Sequence, residues 1–296
     1  MGARQNDRFR PVVLSDIAPL FLFDYCYKLW YDLPMEFYTF ASSSSGNAAL
    51  LRCDGTAVLL DAGISARRIA QSLAALHMTP DELDAVLVTH AHSDHVNGLA
   101  TLTKKYAVPV YATRGTANFL PVPAELLHTF EPGAAFAVGA LDVRSFRTSH
   151  DAAGSVDYRF DSPEGSFGAL TDSGYVTDEA AETLAGVDAL LLEANHDIDM
   201  LQNGPYPYHL KRRILSDLGH LSNEAAAEFA LYCVRAGARD VLLAHLSAEN
   251  NTPAAAEYAV ARRLQSAGCP VRLGVAPKAE LSEAHRIEHT LVRAAR

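Results

Sequence analysis

Three histidines and an aspartate fall within six positions of Thr89-His90-Ala91-His92-Ser93-Asp94-His95. Neutral imidazole and carboxylate are the donors that zinc and related divalent ions take. The stretch directly follows Ala85-Val86-Leu87-Val88, an apolar run that reads as a buried strand. The donors are therefore expected on a loop at the end of a rigid strand, where sites are often built. Asp61, His150, Asp172, His196 and His245 each fall just past the end of another expected strand. One such residue is ordinarily a satisfied polar group; the repeated placement is the signal. His77, His128 and His285 lack this setting and read as surface residues.

The chemistry these donors suit is a two-metal hydrolytic centre. Two divalent ions roughly 3.5–4 Å apart need a shared carboxylate and enough neutral nitrogen. His90, His92 and His150 can surround one ion, and Asp94, His95 and His245 the other, with Asp172 as the bridge. Water between two such ions is acidified to a nucleophile at neutral pH. Histidine nitrogen favours zinc, while the carboxylates leave manganese open.

The elements that must position these residues follow from patterning. Residues 1–34 read as an N-terminal extension, with aromatic-rich Leu20–Leu33 either a short docking helix or a tail. A compact domain is expected over 35–277, and a C-terminal tail over 278–296. Strands are expected at Glu36–Ala41, Ala48–Arg52 and Ala57–Leu60, with the loop Ser42–Asn47 either a plain turn or an anion-holding nest. Ser65 caps a helix carrying Ile69, Leu73 and Leu76 on one face. A helix is expected over His95–Tyr106, then strands at Val108–Thr113 and Leu141–Thr148. A hairpin follows around Ser162-Pro163-Glu164-Gly165. Later elements alternate: helix Asp178–Leu184, strand Ala189–Leu192, helices Tyr208–Leu218 and Glu224–Arg235, strand Val241–Ala244, helix Pro253–Ala267 and strand Val271–Val275. Two halves, each strands then helices, suit two packed sheets with helices outside.

A formal net charge of −10 argues against a protein that coats nucleic acid by bulk charge. It leaves room for a local basic patch, and Lys211-Arg212-Arg213, close after Tyr206-Pro207-Tyr208, is the candidate: phosphate contact with a tyrosine stacked on a base. The alternative for that group is a solvated helix face. Cys26, Cys53, Cys233 and Cys269 form no close pair and suggest no disulfide framework. No apolar run approaches a membrane span. With no secretory pattern at the start, a cytoplasmic protein is expected.

His90, His92, Asp94 and His95 match the HxHxDH motif of the metallo-β-lactamase superfamily, and His150, Asp172 and His245 match its later motifs in order. The chain resembles that superfamily over about residues 35–277. The finer resemblance is to its YycJ-type (WalJ-like) nuclease branch, carried by FYTFASSSSGNAALL, VTHAHSDHVNGL, SHDA, TDSGY, LLEANHD, GHLSN and AHLSAENN. The resemblance implies an α+β fold, a four-layer αββα sandwich, and a two-metal hydrolase. It implies that Asp61 supports the motif loop and that His220 of GHLSN donates a proton to a leaving oxygen. Asp94 and His220 are thus the expected catalytic residues. Glu193 is expected to partner His196 or to orient a ligand imidazole, and His196 to position substrate, touch the second ion or support His220. The implied activity is phosphodiester cleavage, specifically a 5′-to-3′ exonuclease acting on DNA. Between Asp172 and His245 there is no room for the β-CASP domain of RNase J, and no Gly/Pro-rich arm resembles the RNase Z exosite. Thioester or lactone hydrolysis on the same fold is the alternative, because a fold does not fix a substrate. A scaffold with a decayed site is disfavoured because none of the seven candidate ligands is missing.

Overall fold

The computed structural model of the chain describes residues 34–287. Residues 1–33 of the expected extension, including the stretch read as a docking helix or a tail, and the end of the expected C-terminal tail lie outside these. The described chain begins with six strands, β1 (Met35–Ala41), β2 (Ala48–Cys53), β3 (Thr56–Leu60), β4 (Ala85–Leu87), β5 (Val110–Thr113) and β6 (Leu127–Phe130). A second run follows: β7 (Ala135–Val138), β8 (Leu141–Arg147), β9 (Val156–Ser162), β10 (Gly165–Leu170), β11 (Ala189–Glu193), β12 (Asp240–Ala244) and β13 (Arg272–Val275). A last strand, β14 (His285–Ile287), returns to the first sheet.

Among the described residues these form two seven-stranded sheets, ordered β14-β1-β2-β3-β4-β5-β6 and β13-β12-β11-β10-β9-β8-β7. In each, the pairing changes from antiparallel to parallel midway, at β3 in the first sheet and β10 in the second. Alternation along the strands builds the layers. Val58 and Leu60 face a core between the sheets with Phe37, Phe160 and Leu191. Leu59 points the other way, under Ile69 and Leu73. On the far side, Leu190 and Leu192 meet Phe229, Val260 and Leu264. The result is the four-layer αββα arrangement read from the sequence.

The helices are set by their caps and apolar faces. α1 (Ala66–Ala75) starts at Ser65, whose side chain accepts from Arg68 N, and buries Ile69 and Leu73 completely. Burying each such side chain contributes about 1.5–3 kcal/mol. The expected helix over His95–Tyr106 is instead two, α2 (Ser93–Val96) and α3 (Leu99–Tyr106). The break is at Gly98, where a Cβ would lie 2.2 Å from Ile64 O. After β5 comes the short α4 (Arg114–Ala117), and α5 (Asp178–Leu184) precedes β11. Beyond β11 are α6 (Ile198–Asn203) and α7 (Tyr208–Ile214). The latter stops four residues before the expected Leu218, and the chain turns there toward Gly219. Last are α8 (Asn223–Ala236), capped by Ser222 as expected, and α9 (Pro253–Ser266), capped by Thr252.

Residues 278–287, expected to begin a tail, instead run back along the first strand, and His285–Ile287 join the first sheet. Ser282 Oγ accepts from Thr39 N at 2.9 Å, and Met35 pairs with Ile287. His285 is correspondingly buried rather than on the surface: it stacks on Phe37 and its Nδ1 donates to Asp240 at 2.8 Å.

Candidate active site

The candidate residues gather where the strands of both sheets end. Asp61 follows β3, Asp172 lies just beyond β10, and His245 follows β12. All three have left-handed backbones, with φ of 59°, 51° and 54°. That conformation costs a non-glycine residue of order 1–2 kcal/mol and is typically kept where function holds it. It turns each chain sharply off its strand and delivers the side chain to the crevice beyond the carboxyl ends, where α/β sheets commonly bind ligands.

Three ring tautomers follow from the hydrogen bonds. His95 Nδ1 donates to Asp61 Oδ2 at 2.7 Å, and His245 Nδ1 to Glu193 Oε1 at 2.8 Å, since a carboxylate can only accept. His150 Nδ1 donates to Gly219 O at 3.2 Å. The fourth ring follows by elimination: Thr89 Oγ1 gives its own proton to Asp61 Oδ2 at 2.9 Å, so it accepts from His90 Nδ1 at 3.0 Å. In all four residues Nε2 is left facing inward. The Nε2 atoms of His90 and His245 and Oδ2 of Asp172 are buried with no hydrogen-bond partner in the protein. An unsatisfied buried polar atom costs about 1–3 kcal/mol, so converging ones mark a place for a cation.

The donors fall into compact sets. Ligand atoms of His90, His92 and His150 lie within 4.8 Å of one another, as do those of Asp94, His95 and His245, and those of His90, His95 and Asp172. The first two are the groupings read from the sequence; Asp172 joins His90 and His95 in the third, and Glu193, His220 and His245 in a fourth. Its Oδ2 is 3.1 Å from His95 Nε2, without the angle of a hydrogen bond, and its Oδ1 is 3.7 Å from His150 Nε2. His92 Nδ1 faces His150 Nε2 at 3.2 Å. The set fits divalent ions by donor type, spacing and ring orientation.

Burial and ion pairs set the charges of the cluster. Burial and the neighbouring His95 hold His90 well below its usual pKa. Burial also disfavours charge on His245, yet Asp172, Asp94 and Glu193 raise it to about 10. Burial would raise Asp172, but His245 and His95 hold it well below the carboxylate range. Ligand nitrogens must be proton-free, so ion binding exchanges these protons for metal charge.

Glu193 is fully buried and takes four donors. Oε1 accepts from His245 Nδ1 and from His220 Nδ1 at 2.9 Å, while Oε2 accepts from Ser173 N at 3.2 Å and Leu221 N at 3.0 Å. Its hydrogen bonds thus go to His245 and His220 rather than to His196. His220 also lies 3.5 Å from Asp172 Oδ1 and is partly open to solvent. His196 joins none of the ligand sets. Its ring nitrogens are buried without partners, burial pushes it down to about 4, and its carbonyl accepts from Asn223 N.

The basic group divides. Lys211 Nζ is tied to the carbonyls of Gln202 and Gly204 at the end of α6, at 2.8 and 2.7 Å. Arg212 lies over the exposed ring of Tyr208. Arg213 grips Asp151 through two bonds of 2.6 and 3.0 Å, and Asp151 is 3.5 Å from His150 Nε2 and 3.8 Å from His92 Nε2. Only Arg213 of the three thus reaches the ligand cluster. The sequence reading passed over Asp151, although its place directly after His150 was a signal. It also passed over Asn47, whose N–H donates to Asp94 O at 2.8 Å and whose Nδ2 is 3.1 Å from His95 Nε2. In that serine-rich loop, the N–H groups of Ser43, Ser45, Gly46 and Asn47 all find protein acceptors. The loop braces the motif rather than presenting a nest.

Residues 56–246 match the family model described as the β-lactamase superfamily domain. The chain belongs to the β-lactamase superfamily. Exodeoxyribonuclease WalJ of Streptococcus pneumoniae serotype 2 (strain D39 / NCTC 7466) is 39% identical over 243 residues, 80% of this chain and 90% of the relative. Exodeoxyribonuclease YycJ of Bacillus anthracis is 36% identical over 239 residues, 79% and 90% of the two chains. Among solved structures, the metallo-β-lactamase fold protein YhfI from Bacillus subtilis superposes with a TM-score of 0.64 at 17% identity, covering 84% of this chain and 100% of that one. The short form of human tRNase Z gives 0.60 at 18% identity, covering 84% and 99%. At such identities these two show the fold alone. Within this superfamily member the motif loop, Asp172 and His245 occupy the mouth of the sandwich. No helix among the described residues is long and apolar enough to cross a membrane.

Proposed function

We propose that this superfamily hydrolase is a cytoplasmic metal-dependent exodeoxyribonuclease that releases nucleotides in the 5′-to-3′ direction. The observation that carries the reading is the His220–Glu193 pair set against Asp172, directly beside the two ligand sets. Relatives that align over 90% of their length and are named exodeoxyribonucleases support the same substrate class.

His90, His92 and His150 would hold one ion, Asp94, His95 and His245 the other, with Asp172 shared. When bound, the ions supply an acidified water as nucleophile and charge for the phosphoryl oxygens. Five imidazoles against two carboxylates favour zinc, with manganese the competitor. Asp61 and Glu193 fix the rings of His95 and His245, so that their Nε2 atoms keep their aim. Glu193 accepts the Nδ1 proton of His220, so the proton that His220 can transfer is the one on Nε2. A departing sugar oxygen needs that proton. Arg213, held by Asp151, offers the planar cation suited to a phosphate.

The test uses the full chain, stripped of metal and reloaded with zinc or manganese. End-labelled DNA with a 5′ phosphate, single-stranded RNA and a simple thioester are then assayed in parallel. Mononucleotide release from the 5′ end of DNA is expected. Thioester turnover without DNA cleavage would overturn the reading in favour of the small-molecule alternative.

A further inference from the structure

The ligands arrive on two separate sheets. His90, His92, Asp94 and His95 follow β4 in the first; His150, Asp172 and His245 follow strands of the second. The core between the sheets is apolar, and apolar contacts are non-directional. Something must therefore fix the first ligand set against the second to the fraction of an ångström that metal geometry demands.

Three consecutive residues at the start of β9 do this. Tyr158, fully buried in the second sheet, sends its hydroxyl across the sandwich to Val88 O at 2.7 Å, two residues before His90. Val156 N donates to Thr89 O at 3.1 Å, one residue before His90. Asp157, also fully buried, accepts from Thr171 N at 2.7 Å and from Thr171 Oγ1 at 3.3 Å, one residue before Asp172. Its other oxygen accepts from Tyr158 N at 2.9 Å, which holds the carboxylate to the strand. Tyr158 and Asp157 thus act on opposite halves of the ligand cluster. Neither offers an atom to any ligand set.

We propose that Asp157 and Tyr158 are positioning residues that lock the His90–His95 loop and Asp172 into one metal-binding geometry. The bonds are directional where the surrounding core is not, and both end on the residue next to a ligand or one removed from it. Replacing Tyr158 by Phe keeps the ring and its packing, and leaves Val88 O without its hydroxyl donor. The loop then regains freedom that metal binding must remove.

The inference rests on the metal-centre reading, and the experiment separates the two. Metal-free full-length protein is titrated with zinc against a chromophoric chelator, and with cobalt for its ligand-field spectrum. If wild-type protein takes up no ion, the metal-centre reading fails. If it does, Tyr158→Phe is expected to bind at least one ion about 10-fold more weakly, with an altered cobalt spectrum, as for loss of an outer support. Asp157→Asn, the second variant, is expected to weaken both ions because Asp172 is shared. Phe160→Leu, on the same strand and in the same core, controls for general loosening. Wild-type affinity and spectrum in both variants would overturn the inference. So would an equal loss in Phe160→Leu at a matched fall in Tm.

Discussion

Glu193→Gln isolates the residue on which orientation and proton transfer converge. The carboxylate accepts four hydrogen bonds, two from rings and two from the main chain. A glutamine amide has one accepting and one donating end. Whichever way it is placed, its NH2 confronts two donors, either His220 and His245 or Ser173 N and Leu221 N. At about 1–3 kcal/mol for each lost buried bond, the change should cost roughly 2–6 kcal/mol, divided between stability and site geometry. If the rings lose their acceptor, His245 loses its aim and metal affinity should fall about 10- to 100-fold. His220 loses the base that holds its Nδ1 proton, and kcat at saturating metal should fall about 100-fold or more. Chelator-competed zinc titration, Tm and kcat at saturating zinc, measured on one preparation, separate these effects. A variant with unchanged kcat at full metal loading would refute the claim that Glu193 works through His220. Unchanged affinity as well would remove it from the site altogether.

Arg213→Ala is expected to raise KM for DNA about 10-fold with a smaller effect on kcat, in keeping with loss of a charge-assisted contact; an unchanged KM would return Arg213 to a structural ion pair with Asp151. Gly98→Ala forces a methyl to within 2.2 Å of Ile64 O and should cost about 1–3 kcal/mol, read as a Tm fall of several degrees; an unchanged Tm would mean that the α2–α3 junction can yield. Burial pushes Asp157 up to about 8 from an ordinary 3.8. The folded protein therefore holds a proton there that the unfolded chain has released, and this contribution to stability is lost as pH rises toward 8. The stability of metal-free wild type relative to Asp157→Asn should accordingly decline between about pH 4 and 8; a difference independent of pH would refute the shift. 

Much of the site could be read from the sequence because its donors sit at fixed offsets from strand ends. Short runs buried on both faces, bounded by turn residues, mark β3, β10 and β12, and Asp61, Asp172 and His245 then follow within two residues. What the sequence hid depends on contacts between distant segments. His285 looks like a surface histidine until β14 pairs with β1 and brings Asp240 to its ring. Lys211 and Arg213 share a short basic run, yet one ends on main-chain carbonyls and the other at Asp151. The missed strands β6 and β7 are short and half-exposed, so their apolar pattern is weak. The long helix expected after the motif is interrupted where Gly98 N donates to Ala62 O at 2.8 Å, a contact with a distant segment that a one-dimensional pattern cannot register.

The left-handed backbones at Asp172 and His245 set stability against function at two of the proposed metal-ligand positions. Both residues are buried and polar, each has an atom with no protein partner, and each occupies a conformation that glycine adopts more readily. Natural proteins lie only slightly above the stability they need, and replacing such residues is a common route to a sturdier chain. A library selected for heat resistance under chelation would therefore drift away from aspartate at 172 and histidine at 245. The same library selected with divalent ions present would retain them. An ion that bound only the folded form would convert this local liability of the chain into part of its stability.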